Sequence, residues 1–269
     1  MTSSAAPESA EPAATRRARL LVAYDGAPFH GFAENPGVAT VAGTLREALA
    51  LVARRDVELT GAGRTDAGVH AWGQVVSVDL PATMEIDTLA RRLSRICAPA
   101  IVVREAAWAP ESFDARFSAS WRRYRYTVLA SEVADPFLRD TAWHVAAALD
   151  LRSMQLGCDP LIGEHDFTTF CRLPKAVVGG KPPTAVRRVL DARWAESTSE
   201  RGGRLLVFEI RATAFCHQMV RSIVGTLVDI GLGRRHAGEV LPAMRARDRA
   251  AAGQVAPPHG LCLWEVGYA

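Results

Sequence analysis

Val57-Glu58-Leu59-Thr60-Gly61-Ala62-Gly63-Arg64-Thr65-Asp66-Ala67-Gly68-Val69-His70-Ala71 holds a short apolar run followed by a glycine-rich loop, and Gln74 to Leu80 then reads as a strand. A dinucleotide-binding fingerprint would place a third glycine where Asp66 stands and would open a helix whose N-terminus receives phosphates. Asp66 and the following strand deny both conditions, so the loop at 61–71 connects two strands. The flanking segments say what kind of sheet these belong to. Upstream, Arg19 to Tyr24 is an apolar run ended by Asp25-Gly26, hence a strand and a turn, and Leu45, Leu49 and Val52 recur at helical spacing inside Val41 to Arg54. Downstream, Ile86, Leu89, Leu93 and Ile96 form one stripe of a second helix, and Ile101 to Ala107 closes the set as a strand after Pro99. The order βαββαβ is the split βαβ, or ferredoxin-like, plan.

The second half repeats this order more loosely. Tyr124, Tyr126 and Val128 alternate as a strand, Leu151 to Cys158 starts a helix, and Val186 to Ala195 and Leu205 to Thr213 are strands. Met219, Ile223 and Leu227 with Val220, Val224 and Val228 make a helix, followed by another through Glu239 to Arg247 and a last strand from Leu261 to Gly267. The fold expected is α+β: two ferredoxin-like (RRM-like) halves joined into one extended, mainly antiparallel sheet, with helices on one face and a central cleft. The division expected is a disordered tail at 1–17, a first half at 18–110 carrying the loop 61–71, and a second half at 111–269. The tail is Ala, Pro, Ser and Glu without periodicity, and burial cannot repay its ordering entropy. The loop at 174–183, with Gly179-Gly180 and Pro182-Pro183, interrupts the second repeat as a surface loop or lid.

A chain of 269 residues, 49% of them hydrophobic, can bury a large core, which excludes wholesale disorder. No apolar run approaches the roughly 20 residues of a membrane-spanning helix, and the start lacks a secretory h-region, so a cytoplasmic protein without membrane contact is expected. Arg16-Arg17 resembles a twin-arginine signal only weakly, because the apolar stretch behind it breaks at Tyr24-Asp25-Gly26. The cysteines at 97, 158, 171, 216 and 262 are scattered and form no C-x-x-C pair, and they read as reduced, mostly buried small hydrophobes. The net charge of +3 admits an anionic partner without requiring one. Lys175 and Lys181 are the only lysines; the arginines cluster at 91–95, 122–125, 187–188 and 234–235, where guanidinium groups could track a nucleic-acid backbone or simply face solvent.

Three chemistries fit the central loop. Asp66 and His70, four apart, could hold a metal, but two ligands without a third cluster make a poor site. Asp66 could instead be a carboxylate nucleophile: an extended Arg64-Thr65-Asp66 puts the Arg and Asp side chains on one side, and a guanidinium nearby favours the ionised carboxylate. An ordinary Asp-containing turn with a surface ion pair is the third possibility.

Arg64-Thr65-Asp66-Ala67-Gly68-Val69-His70-Ala71 resembles the signature of the TruA family of tRNA pseudouridine synthases. Tyr24-Asp25-Gly26 through Gly31-Phe32 is similar to that family's first strand and loop, and Phe113 to Ala119 leading to Arg123-Tyr124-Arg125-Tyr126 to its middle motif. Phe215 to Arg221 with Val224-Gly225, and Ala256-Pro257 to Tyr268, resemble its last two motifs. The resemblance implies an isomerase, free of cofactor and metal, that converts uridine to pseudouridine in the anticodon stem-loop of tRNA, working as a homodimer. It implies Asp66 as the catalytic residue, with Arg64 paired to it and filling the gap left by the extruded base, Tyr124 stacked under that base, and Arg221 reaching back to the carboxylate. Thr65, Gly68, His70 and His217 are then expected to touch substrate. The chain departs from the family pattern at Ala33-Glu34-Asn35 and Val41-Ala42, where glutamines are usual, and in the glycine and proline spacing between Lys175 and Thr184. A non-catalytic RRM-like RNA-binding protein and a metal-dependent hydrolase using Asp66 and His70 are the rival readings.

Overall fold

The computed structural model describes residues 14–173 and 184–269; most of the expected tail (1–13) and the expected loop at 174–183 lie outside the described residues. The first half contributes β1 (Thr15–Tyr24), α1 (Val41–Ala53), β2 (Leu59–Gly61), β3 (His70–Pro81), α2 (Ile86–Cys97) and β4 (Ile101–Trp108). The second contributes β5 (Ala119–Ala130), β6 (Trp143–Val145), α3 (Leu151–Leu156), β7 (Gly163–Asp166), β8 (Val186–Thr198), β9 (Arg204–Ala212), α4 (Met219–Gly231), α5 (Val240–Ala246) and β10 (Leu261–Tyr268). The ten strands among the described residues form one mostly antiparallel sheet in the order β4-β1-β3-β10-β5-β9-β8-β7, with β2 on β3 and β6 on β5. The fold is therefore α+β, and β4-β1-β3-β2 and β10-β5-β9-β8 have the same internal order, as a repeated βαββαβ plan requires.

The two sets meet at a short parallel ladder, Cys262 opposite His70 and Leu263 opposite Ala71. Along the same edge of β3, the partner further on is β2, through Leu59 opposite Val78 to Gly61 opposite Val76. The glycine-rich loop thus leaves the sheet at β2 and returns at β3 where the two halves join.

Four differences from the sequence reading have identifiable causes. Strand β1 starts at Thr15, so residues 15–17 belong to the sheet and not to the tail: Thr15 pairs with Pro81, and the Arg17 guanidinium donates to Asp79 at 2.6 and 3.0 Å and to the Phe113 carbonyl at 2.6 Å. Strand β3 begins at His70 because β10 pairs with its first residues, a long-range contact that local spacing does not report. Helix α3 stops at Leu156, and β6 and β7 are too short for a periodic pattern to show. The expectation of five reduced cysteines is overturned at one pair. Cys171 and Cys216 form a disulfide, with Cα atoms 5.8 Å apart, because the segment after Phe170 packs on the chain leading into α4, where the Arg172 N–H donates to the His217 carbonyl.

The core is one contiguous cluster spanning both halves, and α4 is its most enclosed helix, with Met219, Ile223, Val224, Leu227 and Val228 all buried. Gly225 is required there by close approach: a Cβ at this position would sit 1.8 Å from the Gln254 carbonyl oxygen. Among the described residues no helix is long and apolar enough to cross a membrane.

All four tyrosines, Tyr24, Tyr124, Tyr126 and Tyr268, have phenols raised above the ordinary value, with burial the largest cause in each. A folded-state value above the unfolded one makes the neutral phenol a stabilising feature, fully present below the unfolded value of about 10 and lost as pH climbs through the folded values. An ultraviolet titration is expected to show no tyrosinate in the folded protein near pH 10, then all four phenols ionising together as circular dichroism reports unfolding. Tyrosinate appearing in a protein with intact circular dichroism would contradict this.

Candidate active site

Residues 62–69 carry no regular structure, yet their backbone is held at several points. The Ala62 N–H donates to the Val75 carbonyl, and Phe32 donates its N–H to the Thr65 carbonyl at 3.0 Å. The fully buried Gln74 amide donates to the Gly63 carbonyl at 2.7 Å and accepts from the Gly63 N–H at 3.3 Å. Thr65 is buried, with its hydroxyl 2.8 Å from the Tyr24 phenol oxygen. Gly68, at a φ of 75°, makes the turn that lets the Val69 N–H reach the Asp66 carbonyl at 3.1 Å. Along Arg64-Thr65-Asp66 the middle residue is buried while Arg64 is exposed and Asp66 half-buried, and the segment lines a cleft between the halves.

That cleft has a volume of about 1320 Å³ and is walled by α1 through Ala42, by the start of α4 and by the glycine-rich segment 61–66. Asp66 lies in it between two groups of the second half. Arg221 Nη1 donates to its Oδ2 at 3.1 Å, and His217 Nε2 lies 3.4 Å from its Oδ1. Both members of the Asp66–Arg221 pair are largely shielded, their side chains 24% and 13% exposed, so the attraction is screened less than at the surface. Arg221 is itself fixed: its Nε donates to the Ala256 carbonyl at 2.8 Å, and the Ala256 N–H donates back to the Arg221 carbonyl. Tyr124 is 8% exposed and lines the same cleft, its ring packed by an edge of Phe215 with centroids 5.0 Å apart. Burial, and then the charge of Asp66, raise the Tyr124 phenol well above its ordinary value, so at neutral pH it is an uncharged ring with an O–H to donate.

The expected site residues divide into those the fold gathers and those it uses otherwise. Asp66, Arg64, Tyr124, Arg221 and His217 converge on the cleft. Arg64 is exposed there and makes no ion pair with Asp66 among the described residues; the carboxylate is taken by Arg221 and His217 instead of by two guanidiniums. Thr65 borders the cleft, but its hydroxyl is engaged with Tyr24. Gly68 shapes the turn beside Pro258. His70 is occupied elsewhere: its Nδ1 accepts from the Gly26 N–H at 3.1 Å and lies 3.1 Å from Asp25 Oδ1, and its Nε2 donates to the Asp140 carbonyl at 2.8 Å. Both ring nitrogens are committed, and Asp66 and His70 do not form a ligand pair.

The arginine cluster at 122–125 also has a structural occupation. Arg122 donates to the carbonyls of Ala62, Arg116, Ala119 and Thr213, tying the glycine-rich loop to the second half, and burial lowers its pKa. Arg123 pairs with Glu265 and Arg125 with Glu209. Sequence reading missed Gln74, which looked like the first residue of a strand; a buried amide amid apolar neighbours is the signal that could have marked it.

Comparison with known proteins decides the family. Residues 158–269 match a family model described as tRNA pseudouridine synthase. The tRNA pseudouridine synthase A of Halalkalibacterium halodurans is 43% identical over 248 residues, covering 91% of this chain and 90% of that protein. Those of Cutibacterium acnes and Leifsonia xyli are 42% and 40% identical, each covering 94% of this chain and 88% and 91% of the relative.

The chain belongs to the tRNA pseudouridine synthase A family. As such a synthase it is an isomerase acting on tRNA, and the reading as a non-catalytic RNA-binding protein falls away. Isomerisation breaks the N1–ribose bond of uridine and makes a C5–ribose bond, with C5 giving up its hydrogen as a proton and N1 taking one up, so that no atom is gained or lost overall. The synthase therefore has to hold a detached uracil and a reactive ribose together while both are shielded from water, which suits a carboxylate and a flat ring facing one enclosed cleft.

Proposed function

We infer that Asp66 is the nucleophile of this synthase, that Tyr124 stacks beneath the target base, and that the substrate uridines lie in the anticodon stem-loop of tRNA. The observation that carries this reading is the Asp66 carboxylate held by Arg221 and His217 in the cleft that Tyr124 lines. Removing a base from a stem costs a few kcal/mol, and stacking on one aromatic returns about 1 to 3 kcal/mol, so a buried ring beside the nucleophile offsets much of that cost. Arg64, exposed in the cleft and without an ion pair to Asp66, is free to enter the space the base vacates. The same reading has the chain divided near residue 110 into two halves, working in the cytoplasm as a homodimer whose subunits together grip one tRNA.

Incubating the purified protein with unmodified tRNA and mapping pseudouridine by chemical probing is expected to place it in the anticodon stem-loop. Pseudouridine confined to another arm would overturn the assigned substrate position, and none at all would overturn the activity.

A further inference from the structure

Phe117 is the most exposed large apolar side chain among the described residues, at 79%, and it stands at the cleft that holds Asp66 and Tyr124. Its exposure comes with a rigid mount. The Asp114 carboxylate accepts from the N–H groups of both Arg116 and Phe117 at 2.8 Å, and the Asp114 and Ser118 backbones close the turn through the Ser118 hydroxyl and N–H, each at 3.0 Å. Beneath it, Ala115 is fully buried, donates its N–H to the Ser77 hydroxyl at 3.1 Å and accepts from the Tyr268 hydroxyl at 2.8 Å. Arg122 holds the Arg116 carbonyl at 2.6 Å and also the Ala62 carbonyl of the catalytic loop. A ring placed in water on so fixed a turn gains nothing for folding, and it loses little entropy when something flat lands on it.

The neighbouring side chain narrows what that is. The Arg116 guanidinium lies 5.3 Å from the Phe117 ring centroid, lines the same cleft and makes no ion pair among the described residues. An exposed aromatic face beside an unneutralised guanidinium matches a nucleobase and its phosphate, and it matches an apolar peptide poorly. Tyr124, buried in the same cleft, occupies the place for the target base, so the more exposed ring suits a different nucleotide.

We propose that Phe117 and Arg116 form a second stacking platform, which holds a base flanking the target uridine and its phosphate. The platform selects among uridines by whether a neighbouring base can reach the ring. This rests on tRNA being the substrate.

The test is steady-state turnover of unmodified tRNA by the native protein, Phe117→Ala and Phe117→Tyr. Alongside it, binding is followed with a fluorescent adenine analogue placed in turn on each side of the target uridine. For Phe117→Ala the expected result is a KM raised about 5- to 150-fold, the range equivalent to the worth of one stacked base, with kcat within a few-fold and an unchanged melting temperature. Phe117→Tyr keeps the ring and is expected to restore KM, and the analogue on one side is expected to be quenched by the native protein and by Phe117→Tyr but not by Phe117→Ala. An unchanged KM in Phe117→Ala, quenching that persists in it, or an equal loss in both variants would overturn the platform. Native protein that forms no pseudouridine on this tRNA would instead overturn the substrate reading, and the platform with it.

Discussion

Asp66→Asn is expected to abolish pseudouridine formation while tRNA binding stays within a few-fold of native. The substitution is nearly isosteric and leaves the mount untouched, because the backbone of the loop is held by Gln74, Phe32 and Val75 and not by the Asp66 side chain. What it removes is the anion. An amide oxygen still accepts from Arg221 Nη1, now 3.1 Å away, but carries neither the charge nor the lone-pair basicity that a nucleophile needs. Loss of the attacking group in enzymes of other chemistries costs roughly 10⁴- to 10⁶-fold in turnover, which puts the variant below detection in an ordinary assay. Release of the C5 hydrogen from labelled tRNA measures turnover directly, since C5 exchanges that hydrogen for ribose. Near-normal release would take the nucleophile's role from Asp66. A drop in melting temperature is expected to be small, because Arg221 keeps its bond to the Ala256 carbonyl.

The elements that sequence reveals well are those whose side chains repeat. Helices α1 and α2 and the long strands β5, β8 and β9 announce themselves because one face of each is buried and the spacing records it, and α4 because its apolar residues run almost all round. The strand order within each half then follows from the βαββαβ plan. The seam between β3 and β10 does not follow from any local pattern, since it joins His70 to Cys262 across most of the chain. It is this seam that places Asp66 opposite Arg221. The same limit separates the two guanidiniums expected at the carboxylate: Arg64, two positions away, makes no ion pair with Asp66, whereas Arg221, 155 positions away and expected there only through the family resemblance, does. His70 belongs with these. Its place in a loop of functional residues suggested substrate contact, whereas its ring links the Gly26 turn to the Asp140 carbonyl. Arginine clusters were the least legible feature, because composition cannot distinguish a phosphate-binding guanidinium from one that, like Arg122, is spent on backbone carbonyls.

Arg221→Ala is expected to lower kcat by about 10²- to 10³-fold, the scale seen when one preorganised charged or hydrogen-bonding group is removed from a reacting centre. The size follows from what the side chain connects. It projects from α4, anchors the segment at Ala256 through Nε and presents Nη1 to the carboxylate, so that one planar fork fixes the distance between the Asp66 loop and the second half. Gly225, one turn on, permits this by letting the Gln254 carbonyl come against the helix. Arg221→Lys is expected to recover only part of the activity, because a lysine ammonium is a single point of charge on a flexible stem and cannot hold both partners in that planar geometry. A double-mutant cycle separates this account from simple damage to the fold. If Arg221 acts through the charge of Asp66, then in a single-turnover assay sensitive enough to register Asp66→Asn, Arg221→Ala has little further effect on turnover once Asp66→Asn is in place and the two losses of turnover fail to add, while the stability lost with the Arg221–Ala256 bond is the same in both backgrounds. Additive losses would mean that Arg221 supports the helix and its neighbours independently of the carboxylate, and the ion pair would then be a contact without a catalytic consequence.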